Sequence, residues 1–439
     1  MESINIPAHG LGGLVRSRRI AAGLTQEELS GHAGVSVRTI RDIERGRRAT
    51  PSSTSIRLLA EALEGRKPQH ELVVAAAASR VKRLTATIDD GPLAAPAGKA
   101  PVHPAQLPPT VRDFTGRSDE SAALLAVLSA TRGGQPGPAA VAAIAGMPGI
   151  GKTALALHVA HRVASYYPDG QLFLNLRGMD SPITHQAAFY RFLRDLGSAP
   201  PPHLGSSEYA GHYQTMLAGK RMLIVLDNAY DSAHVRPFIP SAPGCGVVIT
   251  SRSRLADLEG CTPVHLGTLA DAEARTLLGN IAGPERVAAE PRQADDLLNA
   301  CAGLPLAVRI VGARLASRPG WNLATLAERL ACPGRLLAEL RTGDLAVERS
   351  LRQSYDGILR IGPQGRSAQA GFVRLGQLSR DTFTLADAKS LMDGTEASAE
   401  NILELLVDIN LIQPSLPGRY QLHHLIRLFS QQLYRESAG

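Results

Sequence analysis

The chain has 439 residues, 44% of them hydrophobic and 20% charged; this exceeds one ordinary domain and predicts roughly two to four, each able to bury a core. The net charge of +7 permits a nucleic-acid partner, while four scattered cysteines (Cys245, Cys261, Cys301, Cys332) without a Cys-x-x-Cys pair argue against a zinc site or a disulfide framework and fit a reducing cytoplasm. No run approaches about 18 apolar residues and Met1–Gly10 has no apolar signal core, so neither a transmembrane helix nor a secretory leader is expected.

Residues 8–66 are expected to form a small all-helical unit. Thr25-Gln26-Glu27-Glu28-Leu29 opens a helix: Thr25 is a good N-cap, and Glu28, three residues on, completes a capping box. Gly34 supplies a tight turn, and Ser36 caps a second helix, Val37–Glu44, with Ile40 and Ile43 towards the core. Two short helices across a glycine-containing turn make a helix-turn-helix. Through Thr25–Ser30 and Ala33–Gly46, and over nearly all of residues 11–64, the sequence resembles the Cro/repressor-like (XRE) helix-turn-helix family. The resemblance implies that Val37, Arg38, Arg41 and Asp42, with Ser36 and Thr39 beside them, face base edges in the major groove of double-stranded DNA. Gln26, Arg45, Arg47 and Arg48 would meet phosphates. Arg38 suits guanine, whereas Asp42 accepts only from cytosine and repels phosphate.

Residues 67–110 begin with a candidate helix over 69–84. The Pro- and Ala-rich stretch 85–110 cannot build a core and reads as an extended linker. From 111 to 268 short apolar strands alternate with helical stretches: Ala140–Ala145, Leu172–Leu176, Met222–Leu226, Val247–Thr250 and Val264–Leu266. Their continuous apolarity predicts an α/β domain with a parallel sheet buried on both faces. Residues 269–340 read as helical, and 341–439 as helical with one late hairpin, Leu411–Leu422, turning at Pro417-Gly418.

Between the first strand and a helix, Gly146–Thr153 (GMPGIGKT) fits the phosphate-loop pattern G-x-x-x-x-G-K-S/T. Backbone N–H groups of Gly146, Met147, Gly149, Ile150, Gly151, Thr153 and Ala154 are expected around a phosphate, aided by the positive end of the helix. Lys152 reaches the β- and γ-phosphates in such loops, and the Thr153 hydroxyl holds Mg²⁺. Leu223–Asp227 is an apolar strand ending in an acid, expected to orient Mg²⁺ through water. Asn228 follows; an amide cannot take a proton from water, so hydrolysis is predicted to be slow, with Lys152 and Asp227 as its catalytic groups. Arg252, just past the next strand, is suited to read a γ-phosphate. The pattern calls for ATP or ADP with Mg²⁺.

Phe114–Glu120 (FTGRSDE) fits F-x-G-R-x-x-E, Gly303–Leu306 spells G-L-P-L, and Leu422-His423-His424 stands in the place of M-H-D. In order and spacing, residues 111–436 resemble the NB-ARC domains of the STAND class of signalling NTPases. The resemblance implies a P-loop domain over 111–268, a helical domain over 269–340 and a winged-helix domain over 341–439. It places Gly116 and Arg117 near adenine and ribose, Pro305 on adenine, Arg252 at the γ-phosphate and His423 at the β-phosphate of ADP. Two departures stand out. His424 replaces the Asp that would steady the closed state, and Asn228 replaces a second acid.

An XRE module followed by NB-ARC resembles actinobacterial regulators of antibiotic production and other secondary metabolism. The implied protein is a cytoplasmic, nucleoid-associated transcription regulator that switches between ADP and ATP and self-associates in the ATP state. No repeat array follows the winged helix in this sequence, so either its signal is expected from a protein or small molecule read by the core, or the sensor was lost. The rival expectation is a STAND NTPase that signals by protein assembly, in phage defence or stress, with the helix-turn-helix as an adaptor.

Overall fold

The computed structural model describes residues 11–44, 58–59, 62–63, 103–130, 138–198, 200–201, 204–332, 334–392 and 394–438. The chain divides into two compact units, Met1–Lys99 and Ala100–Gly439. Arg45, Arg47, Arg48, the candidate helix over 69–84 and residues 85–102 of the expected linker lie outside the described residues.

In the first unit α1 (Leu11–Ala21), α2 (Gln26–Ala33) and α3 (Val37–Glu44) surround a core that includes Val15, Leu29, Val35, Ile40, Ile43 and Leu59. α2 begins as its sequence predicts. Thr25 Oγ1 accepts from the Glu28 N–H at 3.1 Å, and the Glu28 carboxylate accepts from the Thr25 N–H at 2.7 Å. Such a cap contributes about 1 kcal/mol. Gly34 stops the helix at φ 63°, a left-handed backbone. Ser36 Oγ then accepts from the Thr39 N–H at 3.2 Å and starts α3.

In the second unit β1 (Ala140–Gly146), β2 (Gly170–Asn175), β3 (Met222–Ala229), β4 (Gly246–Ser251) and β5 (Cys261–Leu266) form one parallel sheet, ordered β2-β3-β4-β1-β5. Alternate residues feed cores on opposite faces. Ala142, Ile144, Leu223 and Val225 serve one face; Val141, Ala143, Ile224 and Leu226 serve the other. Strands that satisfy both faces are apolar throughout, which is why β1 and β3 are plain in the sequence. β5 is an edge strand that buries only Val264 and Leu266, so its first half carries no apolar signal.

The other edge, β2, is covered by residues expected to be linker. The Gln171 N–H donates to Pro104 O at 2.6 Å, and the Gln106 N–H donates to Gln171 O at 3.0 Å. An edge strand exposes backbone groups that need partners, and composition does not reveal which segment supplies them.

After β5 come the helices Asp271–Ala282, Pro284–Ala289, Pro291–Cys301, Pro305–Ala316 and Leu323–Leu330. A small hairpin, Arg341–Thr342 with Leu345–Ala346, leads to Val347–Gly357, Gly365–Leu375, Leu385–Leu391 and Glu396–Asp408. A three-stranded antiparallel sheet (Thr382–Thr384, Gln413–Leu416, Arg419–Gln421) and a last helix, His424–Ala438, complete the chain. Its hairpin turns at Pro417-Gly418 as expected, with Gly418 at φ 70°. One apolar core runs from Ile144 through Val308 to Leu351, Phe372 and Phe429. The sheet and the C-terminal helices are therefore packed as one body. Among the described residues no helix is long and apolar enough to cross a membrane.

Candidate functional site

β1 delivers the chain to Gly146, and the helix Lys152–Val163 carries it away. Between them Gly149 (φ 79°) and Gly151 (φ 95°) take left-handed backbone that a Cβ resists. The Lys152 side chain is buried, and its Nζ donates to the carbonyls of Gly146 and Met147 at 2.8 and 2.9 Å. Burial pushes this lysine down to about 7; the Arg252 charge acts the same way, and Asp227 opposes both. Arg252 is itself pushed down to about 10 by burial, again against Asp227. Lys152 and Arg252 thus draw on the same carboxylate. The excess positive charge, lodged at the start of a helix, is what an anion would relieve.

Asp227 is held on all sides. The hydroxyls of Thr153 and Thr250 donate to its Oδ1 at 2.7 and 2.6 Å, and the Asn228 amide donates to its Oδ2 at 3.0 Å. Asn228 stands at φ 56°, where the pairing of β3 with β4 shifts register. Its own N–H donates to Thr250 Oγ1 at 2.9 Å. The two groups expected to share Mg²⁺, Thr153 and Asp227, are therefore in direct contact. From sequence Asn228 is only a poor base; in the fold it orients the carboxylate. Thr250 has no sequence signal of its own, because only the β3–β4 register brings it beside Asp227.

A cavity of about 450 Å³ opens over the loop, within the size range of small-ligand sites. Its lining includes Gly149, Ile150, Gly151, Lys152, Thr153 and Ala154 from the loop, and Arg117, Asn228, Arg252, Pro305 and Arg309 around it. Gly146, Met147, Asp227, Gly116 and His423 are not on its surface. Gly116 packs against Glu273 instead. Arg117 lines the cavity, but its guanidinium is committed to Glu120 at 3.1 Å and Gly267 O at 2.6 Å. Pro305 opens the helix Pro305–Ala316, and the next N–H, of Leu306, donates to Gly149 O at 3.2 Å. Arg309, not foreseen from sequence, is held by Asp113 at 2.7 Å.

Comparison with known proteins accords with this geometry. Residues 15–68 match the Helix-turn-helix family model, and residues 122–288 match the NB-ARC domain model. The chain carries a helix-turn-helix module and an NB-ARC domain. It is 42% identical over 385 residues to Regulatory protein AfsR of Streptomyces griseus, covering 85% of this chain and 38% of that protein. It is 43% identical over 339 residues to Regulatory protein AfsR of Streptomyces coelicolor, covering 76% of this chain and 33% of that protein. With Disease resistance protein RPH8A of Arabidopsis thaliana the identity is 26% over 299 residues, 62% of this chain and 32% of that protein. The chain thus spans about a third of the length of these relatives.

The NB-ARC cavity is tied to the C-terminal helices through Arg252. Its Nη1 donates to Ser350 O at 2.9 Å and Ser354 Oγ at 2.5 Å, and its Nη2 donates to Gln353 Oε1 at 3.1 Å. All three acceptors lie on the helix Val347–Gly357. His423 meets the turn before Pro305 rather than the cavity. Its Nε2–H donates to Ala302 O at 2.9 Å, and its Nδ1 accepts from the Leu425 N–H at 3.2 Å. Both bonds together require a neutral ring with its proton on Nε2. Burial holds the His423 pKa below the usual imidazole value. Beside His424, where the family motif carries Asp, a carboxylate arrives from elsewhere: Asp381 accepts from Arg427 Nε and lies 3.9 Å from His424 Nδ1.

In the helix-turn-helix module Gln26 Nε2 donates to Glu44 Oε2 at 2.7 Å, beside the Arg19–Glu44 ion pair of 2.7 Å. Arg41 Nε lies 3.5 Å from Gln26 Oε1, so these two expected DNA contacts share one surface. Ser36 and Arg41 are exposed, Val37, Thr39 and Asp42 half-buried, and Arg38 lies on α3.

Proposed function

We propose that this protein is a DNA-binding transcription regulator switched by the phosphate count of its bound nucleotide. Arg252 carries the reading. It lines the cavity over the phosphate loop while three of its five N–H donors are on Ser350, Gln353 and Ser354. A γ-phosphate within reach would compete with that helix for the guanidinium. With ADP, Arg252 stays on Val347–Gly357 and the C-terminal helices remain docked. ATP brings a charged acceptor that competes for it. The nucleotide supplies only that difference in charge; the chain's own residues do the rest. Lys152 and the loop N–H groups would hold its phosphates, Thr153 and Asp227 would hold Mg²⁺, and Pro305 would bound the base. Hydrolysis is expected to be slow, because Asn228 offers no base beside Asp227.

Undocking of the C-terminal helices would permit self-association. Joined modules would then sum weak affinities for DNA half-sites through effective concentration. Arg38, Arg41, Ser36 and Thr39 would face base edges, and Gln26 a phosphate. Control of secondary metabolism is proposed from the resemblance of the XRE and NB-ARC combination to actinobacterial regulators; the two AfsR relatives are regulatory proteins of Streptomyces. The likeness to a plant disease resistance protein favours a second reading, signalling by protein assembly with the helix-turn-helix as adaptor. Footprinting the full chain at moderate salt, on the DNA upstream of its own coding region, separates the two. The regulator reading expects sequence-selective protection that differs between ADP and a non-hydrolysable ATP analogue. No selective protection with either nucleotide would sink it.

A further inference from the structure

A second cavity, also about 450 Å³, opens beside the first and shares Asn228 and Arg252 with it. It lies off the ends of β2 and β3. There the Leu176 N–H donates to Asp227 O and the Gly178 N–H to Asn228 O, both at 2.7 Å, so the β2–β3 pairing continues past the acid. Gly178 is pressed against this partner: a Cβ there would come within 2.6 Å of Asn228 O. Between the two bonds Arg177 turns to φ 53°, a left-handed backbone that an arginine rarely adopts. The Asn175 side chain accepts from its N–H at 2.9 Å and holds the turn. Backbone held in this way by its surroundings is a frequent mark of a functional position.

Arg177 is exposed and lines the second cavity; among the described residues its guanidinium has no hydrogen bond or ion pair. Arg252, on the same cavity, has spent three donor contacts on the helix Val347–Gly357. Asp180 is the carboxylate on this wall, and Arg177 and Arg252 are its cations. A terminal phosphate reaching past Asn228 would therefore meet Arg177 before Arg252 is released.

We propose that this second cavity is the terminal-phosphate subsite and that Arg177 tells a nucleoside triphosphate from a diphosphate while the C-terminal helices are still docked. The proposal rests on the nucleotide reading of the first cavity. It adds an order of events: Arg177 engages the extra phosphate first, and Arg252 changes partner afterwards.

The test is the ratio of affinities for ADP and a non-hydrolysable ATP analogue, measured by displacement of a fluorescent nucleotide from the full chain. A charge-assisted contact predicts that Arg177→Ala weakens the triphosphate about tenfold or more, leaves ADP within about twofold, and is partly rescued by Arg177→Lys. Circular dichroism and Trp321 emission check folding. Arg177→Gly, which suits the left-handed backbone, replaces the alanine variant if that one does not fold. An unchanged ratio, or equal loss of both nucleotides, overturns the proposal. Failure of the underlying nucleotide reading looks different: the unmodified chain would bind neither nucleotide, or Lys152→Ala would bind both as well as it does.

Discussion

Lys152 sits buried, with the Arg252 charge disfavouring its ammonium and Asp227 favouring it, and its pKa of about 7 lies far below the 10.5 of a free lysine. The sign of the linkage follows. The folded chain disfavours the ammonium, so this residue's contribution to stability falls as pH drops from about 10.5 towards about 7. A bound phosphate reverses the preference by placing negative charge against the ammonium. Binding ADP at alkaline pH should therefore take up close to one proton, and affinity should fall as pH rises above about 7. Calorimetry at pH 8.5 in two buffers of different ionisation heat would count that proton, and Lys152→Met should abolish the uptake. A binding heat independent of buffer in the unmodified chain would contradict the charge account. This site was half legible in the sequence. Gly146–Thr153 and Asp227 follow a local pattern, whereas Thr250, Arg309 and Arg177 are brought in by register and packing that no local pattern encodes.

At the scale of elements, one short turn joins three parts of the second unit. Between the helices Pro291–Cys301 and Pro305–Ala316, Ala302 O accepts from His423, Gly303 O accepts from the Leu269 N–H at 2.9 Å, and the Leu306 N–H donates to Gly149 O at 3.2 Å. The His423 Nε2–H bond to Ala302 survives protonation of the ring, whereas the bond that Nδ1 accepts from the Leu425 N–H needs the ring neutral. Because burial lowers the folded pKa below the ordinary imidazole value, the Leu425 bond is present at neutral pH and is lost as pH falls through that lowered value. Hydrogen exchange of the Leu425 amide should accelerate as pH is lowered into the acid range, after correction for intrinsic rates. In His423→Gln, whose amide still donates but does not titrate, that acceleration should shrink. Equal acceleration in both would remove His423 from the account. Among the elements, α2, β1 and β3 were legible because capping chemistry and two-sided burial are local. Half of β5 and the strip over β2 were not, since edge strands take their partners from distant sequence.

Across the second unit, the sequence pointed to Arg252 as a phosphate reader, but not to the helix that holds it. Ser350, Gln353 and Ser354 lie about a hundred residues further on, and nothing in their local sequence marks them as partners. The coupling is a property of the packed body: Asn410 Nδ2 donates to Arg252 O at 2.8 Å, and the Arg254 N–H donates to Asp408 O at 2.9 Å, so the whole strand end after β4 rests on the C-terminal helices. A switch built this way needs a ligand that favours one arrangement over the other, and only the terminal phosphate differs between ADP and ATP. Hydrogen exchange across the helix Val347–Gly357, compared between ADP and a non-hydrolysable ATP analogue, tests that claim most directly. The account predicts faster exchange there with the triphosphate, and exchange already fast with ADP in Arg252→Ala. Equal protection of this helix with both nucleotides, at saturating concentrations, would contradict it.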